Sequence, residues 1–313
     1  MQLPELSPST YRRITLVAIL ALAFIIVTGG AVRLTNSGLG CPDWPTCSQK
    51  QFVSASEYHK AIESINRTIT GLVSVAVALA VLGSLQRRPR RRDLTRLSLG
   101  LVAGVAAQIV LGGLTVLFAL KPPFVMAHMM LSLAILACAV VLYERAGEPD
   151  VGDRRHVVGE DLVTMGKLVI IAAAVVIFLG TVVTSTGPHG GDDKAERLPF
   201  LLTDVARAHG IGVMLFLAIT LVTLWRLRRA GAPPALLHRG EILLAVSVGQ
   251  GTLGYVQYFN GVPPLLVGFH IAGAAAVWAA AVWFALGFSK KVAPTSRPAA
   301  VTEPSEAGVA FRA

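Results

Sequence analysis

Three histidines, His128, His209 and His270, are the residues of this chain best suited to holding a metal ion. Each lies a few residues inside the leading end of a long apolar stretch. Histidine is costly in a lipid-facing helix, so three at one depth point to a site. Imidazoles facing each other between helices are how a membrane bundle grips a haem iron from both sides. A fourth position of the same kind holds Asn66, with Glu63 three residues before it, so both project from one helix face. An amide is a poor ligand for iron, and a carboxylate at this depth needs a partner or a task. Zinc would ask for a third and fourth ligand at each place, and none is evident.

The elements that must position these residues are apolar helices. Of the 313 residues 54% are hydrophobic and 15% charged, where a soluble domain carries roughly 25% charge. Eight apolar stretches, at 14–34, 64–85, 97–119, 124–143, 166–186, 203–225, 240–258 and 265–288, each approach the ~20 residues needed to cross a bilayer. Backbone in lipid must satisfy its own hydrogen bonds, so all eight read as helices. The fold class expected is an all-α integral membrane protein. The first stretch is too long, and followed by too many others, to read as a cleaved signal peptide.

The net charge of +10 does not point to nucleic acid, because of where it sits. Arg87, Arg88, Arg90, Arg91, Arg92 and Arg96 fall between the second and third stretches. Arg226, Arg228, Arg229 and Arg239 fall between the sixth and seventh, Lys290 and Lys291 follow the eighth, and Arg12 and Arg13 precede the first. All lie on one side of an eight-helix topology, which marks that side, and both termini, as cytoplasmic. The expected division is a cytoplasmic N-terminus (1–13), an N-terminal four-helix half (14–143), a cytoplasmic linker (144–165), a C-terminal four-helix half (166–288) and a disordered cytoplasmic tail (289–313) rich in Pro, Ala, Ser and Glu after Pro294.

The two halves are weakly alike. Gln108-Ile109-Val110-Leu111-Gly112 parallels Gln250-Gly251-Thr252-Leu253-Gly254, and a histidine follows each glutamine after 20 residues, His128 and His270. Asn66 falls opposite His209, and Gly29-Gly30 opposite Gly180-Thr181. This reads as a parallel duplication of a four-helix unit giving two pseudo-symmetric bundles. In the second half His209 and His270 enter from the same side to a depth of about 8 Å, a matched pair for bis-histidine haem ligation. In the first half His128 has Asn66 for a partner, and Glu63 where the second half has Ala206. A plain Glu63–Arg67 interfacial salt bridge is the rival reading of that carboxylate. Gln108 and Gln250 are expected to bridge helices by hydrogen bonds. Cys138 reads as a core residue.

Cys41 and Cys47 lie in the first outer loop, in Cys41-Pro42-Asp43-Trp44-Pro45-Thr46-Cys47. The outer compartment permits a disulfide, which is the favoured reading. Free thiols come next, and a metal site last for want of further ligands. A staple for the loop and a redox-active pair are both open as its task.

At these residues the chain resembles the haem A synthase family. The runs that carry the resemblance are Gly29-Gly30-Ala31-Val32-Arg33-Leu34-Thr35-Asn36-Ser37-Gly38-Leu39-Gly40-Cys41-Pro42-Asp43-Trp44-Pro45, Ile62-Glu63-Ser64-Ile65-Asn66-Arg67, and Thr186-Gly187-Pro188-His189-Gly190-Gly191-Asp192. The contexts of the three histidines match too. The resemblance implies eight helices in two four-helix halves. It implies haem b as cofactor between His209 and His270, and haem O as substrate in the N-terminal half. There Glu63 and His128 are at the reaction site, His128 on the substrate iron, and Asn66 and Arg67 contact the haem. It implies oxidation of the C8 methyl of haem O to a formyl group by successive hydroxylations, and haem O synthase (protohaem farnesyltransferase) as a partner. The family pattern in the second helix is Glu-x-x-His-Arg, and Asn66 departs from it, which removes an expected ligand. His59 is a distant substitute ligand, with a solvated loop histidine as the plainer reading. Arg33, Arg67 and Arg207 could pair with haem propionates, or snorkel to the interface. His189 could line the haem edge or sit at the surface.

Two other classes compete. A haem-b electron carrier that leaves haem unmodified accounts for the histidines but not for Glu63 or the outer-loop signature. A transporter built from repeats would place its polar positions at mid-membrane, not near the outer face. The electron acceptor and self-association into a homo-oligomer stay open; lipid is the surrounding solvent.

Overall fold

A computed structural model describes residues 5–41, 43–47 and 57–293. The elements are α1 (Pro8–Leu34), α2 (Tyr58–Gln86), α3 (Arg92–Leu117), α4 (Pro122–Ala146), β1 (Asp153–His156), α5 (Glu160–Thr186), α6 (Leu202–Arg229), α7 (Pro234–Phe259), α8 (Pro264–Leu286) and β2 (Ser289–Val292). Proline opens α1, α4, α7 and α8, where its missing N–H costs nothing and its fixed φ suits the first turn. At α1 the Ser7 hydroxyl also accepts the Thr10 N–H at 3.2 Å.

Six of the helices, α1, α2, α3, α5, α6 and α7, run past their apolar stretches at one end by a turn or more. The last turn of α6 carries Arg226, Arg228 and Arg229, cations that suit the negative end of a helix dipole. Seven helices are long and apolar enough to cross a membrane. The exception is α7, whose outer half holds Gln250, Tyr255, Gln257 and Tyr258. On α1 both faces are apolar: Tyr11, Ala18, Leu22 and Ile26 are buried, while Val17, Leu20 and Phe24 are more than half exposed. A helix apolar on its outer face fits a hydrocarbon solvent.

Two buried clusters divide the described residues. One is built from α1–α4, from Tyr11 to Ala146, with Ile177 and Ala275 added. The other is built from α5–α8, from Leu162 to Phe288. Trp278 of α8 packs against both, and its indole N–H donates to the Leu133 carbonyl of α4 at 2.8 Å. Helices α1, α4, α5 and α8 meet along the middle, and Ile271 of α8 fills the space where Gly30 of α1 has no side chain. Cys138 sits in the first cluster as expected, its thiol toward the Leu97 carbonyl.

At the basic end the structure departs from the sequence reading. Ser289–Val292, expected to begin a disordered tail, pairs antiparallel with Asp153–His156 of the linker. The Lys291 ammonium donates to the Asp150 carbonyl at 2.9 Å. A four-residue strand in each segment is too short to leave a periodic signal. The remainder of that expected tail, from residue 294, lies outside the described residues. Arg87, counted as a loop cation, is only 1% exposed and pairs with Asp150 at 2.6 Å. Arg239 pairs with Glu144 at 2.7 Å, and Glu144 also accepts the Trp283 indole N–H at 3.0 Å.

Candidate functional site

A cavity of about 860 Å³ opens inside the end of the bundle opposite the strands, within the ~300–1,000 Å³ usual for small-molecule and cofactor sites. Its wall takes residues from both clusters and includes Glu63, Asn66, Arg67, His128, His209 and His270. These six residues, expected from the sequence at a haem or at the chemistry, therefore line one space.

His209 and His270 face each other with ring centroids 6.4 Å apart and planes crossed at 77°. The His209 Nδ1–H donates to the Val176 carbonyl of α5 at 3.1 Å, which leaves Nε2 as the lone-pair nitrogen. Metal-binding histidines are commonly oriented by such a bond from the other ring nitrogen. Nδ1 of His128 and of His270 is buried without a hydrogen-bond partner. The helix backbones behind both are held alike: Gln108 Nε2 donates to the His128 carbonyl at 2.9 Å, and Gln250 Nε2 to the His270 carbonyl at 2.7 Å. The expected bridging role of the two glutamines is thus observed, and each bridge pins a histidine-bearing turn.

A glycine backs each ring. A Cβ on Gly112 would lie 3.1 Å from Cε1 of His128, on Gly180 3.2 Å from Cε1 of His209, and on Gly254 3.1 Å from Cε1 of His270. The sequence held this signal in Gly112, Gly180 and Gly254, but apolar helices carry many glycines and nothing in the sequence marks these three. The fourth of the set, Gly29, has nothing within 4 Å of its Cβ position. Asn66 instead reaches to α1, where Thr28 Oγ1 donates to its Oδ1 at 2.8 Å.

Glu63 is the buried acid of this wall, 5% exposed. Its Oε1 accepts from Arg67 at 2.6 Å, and its Oε2 accepts the Cys41 backbone N–H at 2.7 Å. The salt bridge foreseen as the rival reading is present, and it is part of a larger clamp. Arg67 also donates to the carbonyls of Cys41, Asp43 and Thr46. Cys41 and Cys47 form a disulfide, with Sγ atoms 2.02 Å apart. The clamp thus fastens the disulfide loop onto α2. From that loop the Trp44 indole lies against Gly113 of α3 and lines the cavity. The sequence showed Glu63, Arg67 and the cysteines separately; their union depends on a fold-back of the loop that leaves no periodic trace.

Other candidates separate cleanly. Arg33 lines the cavity, with Nε on the His189 carbonyl at 2.6 Å and Nη2 on the Thr184 carbonyl at 2.8 Å. His189 lines it too and donates from Nε2 to the Val262 carbonyl at 2.8 Å. Arg207 is exposed and does not line the cavity. His59 is exposed on the first turn of α2, with Nδ1 3.0 Å from Ser37 Oγ, and is not in the wall. The loop after α1 and the loop after α5 are joined where the Gly38 N–H donates to the Gly191 carbonyl at 2.8 Å. Near them, burial pushes the Arg197 guanidinium down, opposed by Asp193.

The family model COX15-CtaA, described as cytochrome oxidase assembly protein, matches residues 12–188. The chain belongs to this family. The match spans α1 to α5 and so takes in Glu63, Asn66, His128 and the disulfide; His209 and His270 lie beyond it. Family membership and seven membrane-crossing helices make this a multi-pass membrane protein. The chain is 24% identical over 176 residues to a haem A synthase of an Exiguobacterium species, covering 54% of this chain and 58% of that protein. It is 32% identical over 150 residues to a haem A synthase of Shewanella oneidensis, covering 42% of this chain and 44% of that protein. It is also 30% identical over 142 residues to a protohaem IX farnesyltransferase of Halobacterium salinarum, covering 44% of this chain and 30% of that protein. In each case the chain spans less than two thirds of the relative's length.

Proposed function

We propose that this family member is a haem A synthase: it holds haem O by His128 in the α1–α4 half and oxidises its C8 methyl to a formyl group. The carrying observation is the His209–His270 pair, 6.4 Å between centroids, on the wall of the cavity that also bears His128 and Glu63. A metal–imidazole bond of roughly 2 Å on each side, with each ring centre roughly 1 Å behind its nitrogen, calls for about 6 Å between centroids. The residues present therefore fit a haem b, held by His209 and His270, and such a group supplies one-electron transfer when bound. The donor bond from His209 to Val176 and the unpartnered Nδ1 atoms of the other two rings suit neutral imidazoles. The reading treats the two clusters as pseudo-symmetric four-helix halves of one duplication, and the paired glutamine–histidine and glycine–histidine contacts support it. It places the termini in the cytoplasm and the cavity toward the outer face, in line with the positions of the basic residues.

Two hydroxylations of the methyl carbon with oxygen from water, followed by loss of water from the geminal diol, sum to R–CH3 + H2O → R–CHO + 4 H+ + 4 e−, and a haem b held by His209 and His270 would pass those electrons to an external acceptor. For that chemistry the chain offers an anchored iron ligand, His128, and a fixed anion, Glu63, held beside the cavity by Arg67 and the Cys41 N–H. Glu63 is held in place by Arg67 and the Cys41 N–H, so its proposed task is a positioned carboxylate that stabilises positive charge developing on the substrate, together with closure of the disulfide loop. A haem O-producing transferase is the supplying partner that such a substrate calls for.

Expression with a source of haem O, followed by pigment extraction and chromatography, tests the reading. Haem A that depends on this chain supports it; haem b alone would make the protein an electron carrier that leaves haem unmodified. Glu63→Gln keeps an acceptor for Cys41 but removes the charge. Undiminished haem A from that variant would remove the charge from the mechanism.

A further inference from the structure

We infer that the iron face opposite His128 is kept open for a small exogenous ligand, such as water, a diatomic gas or cyanide, with the Asn66 amide as its hydrogen-bond donor. The inference rests on the proposed reading that His128 holds a haem iron. It starts from the four glycines. Three of them face an imidazole at 3.1 to 3.2 Å, while Gly29, which occupies the matching place on α1, faces open space to 4 Å. The wall of the cavity is therefore short of one ring at the place where the repeat would put it.

Asn66 does not fill that space as a ligand. Its Oδ1, the only atom of the amide with a usable lone pair, accepts the Thr28 hydroxyl at 2.8 Å. That bond turns the oxygen toward α1 and fixes which way the amide faces. What remains is Nδ2, a donor of two N–H groups and no acceptor, which makes no hydrogen bond among the described residues. Nδ2 belongs to a residue on the wall of the cavity that His128 also lines. A donor without a lone pair cannot bind iron, but it can bond to an atom that does. The gap bounds the ligand to about the size of an imidazole, and the donor favours ligands whose outer atom accepts. His128, by contrast, has its ring wedged against Gly112 and its backbone held by Gln108, as a fixed ligand on the other face requires.

The test uses the full-length protein purified with haem in place, read by optical and electron paramagnetic resonance spectra. His128→Ala must lose one haem while the haem held by His209 and His270 stays. If haem content does not change in that variant, the first-half haem reading itself fails. Given that haem, the wild type is expected to show a high-spin ferric fraction, to bind cyanide, and to bind carbon monoxide when reduced. Asn66→His should convert that fraction to low spin and abolish binding of both probes. Asn66→Leu, of similar size without a donor, should still bind carbon monoxide but hold cyanide about tenfold less tightly, the loss of one hydrogen bond of ~1.4 kcal/mol. A wild-type first-half haem that is low spin and inert to both probes overturns the open face. Equal cyanide affinity in Asn66→Leu overturns the role of the amide.

Discussion

Adding a single methyl group to each of two glycines should loosen the haem proposed between His209 and His270. A Cβ at Gly254 would lie 3.1 Å from Cε1 of His270, and one at Gly180 would lie 3.2 Å from Cε1 of His209. Ordinary contact starts at 3.4 Å, so each ring must retreat by the shortfall, 0.3 and 0.2 Å. The retreat is small, but it acts on a metal–nitrogen bond only roughly 2 Å long and on a pair of rings whose separation is already matched to one iron. Overpacking of this kind costs ~1–3 kcal/mol. Alanine belongs at the lower end, about 1 kcal/mol, and valine, with two more carbons, at the upper. In affinity these are about fivefold and more than a hundredfold. Replacing a helical glycine by alanine also steadies the helix by roughly 0.5–1 kcal/mol. Haem content and thermal stability of the haem-free protein should therefore move in opposite directions, which a general folding defect would not produce. Gly29→Ala is the internal control, since its Cβ meets nothing within 4 Å. The assay is haem per protein by pyridine haemochrome, with unfolding in detergent followed by circular dichroism. Full haem content in Gly180→Val and Gly254→Val, or an equal loss in Gly29→Ala, would refute the argument.

Other outcomes follow from the same contacts. Gln250→Leu removes the bond to the His270 carbonyl, and a loss of ~0.6–1.7 kcal/mol for a polar contact in a membrane bundle should lower retention of the proposed haem b by about threefold to eighteenfold during dilution, measured by absorbance. Replacing both Cys41 and Cys47 by serine should cost about 2 kcal/mol of stability through the lost loop constraint, seen as a lower unfolding temperature; an unchanged haem A output in that variant would assign the disulfide to stapling alone. Arg67→Lys cannot supply the donors that Arg67 sends to Glu63, Cys41, Asp43 and Thr46. Faster limited proteolysis between Cys41 and Tyr58 is expected, and an unaltered cleavage rate would separate the loop from the clamp.

Much of the site was legible because it rests on costly residues in an apolar background. Three histidines, one glutamate and two glutamines at matched positions stand out in membrane helices, and all six line the cavity. What was hidden depends on residues that cost nothing there. Gly112, Gly180 and Gly254 are unremarkable among the 30 glycines of the chain, and only the packed structure shows a ring against each. The loop-clamping contacts of Arg67 were not legible because its neighbours in space, the carbonyls of a folded-back loop, are not neighbours in sequence. Arg87 was read as one loop cation among many, because its buried pair with Asp150 joins positions 63 apart in sequence. The helix bounds fell short for a related reason: hydropathy sees the part of a helix in lipid, whereas hydrogen bonding carries α1 back to Pro8 and α6 on to Arg229.

The small antiparallel pairing of Asp153–His156 with Ser289–Val292 has a consequence for how the chain can be cut and rejoined. It brings the residues just before α5 against those just after α8, so the stretch from one strand to the other is a closed ring of four helices with its two ends in register. Segments whose ends meet tolerate circular permutation and exchange as units. The Gly231 turn between α6 and α7, where a positive φ and open space coincide, is then the natural place to open the ring. Joining its old ends by a short linker would yield a permuted module whose facing histidines, His209 and His270, lie on opposite sides of the new break.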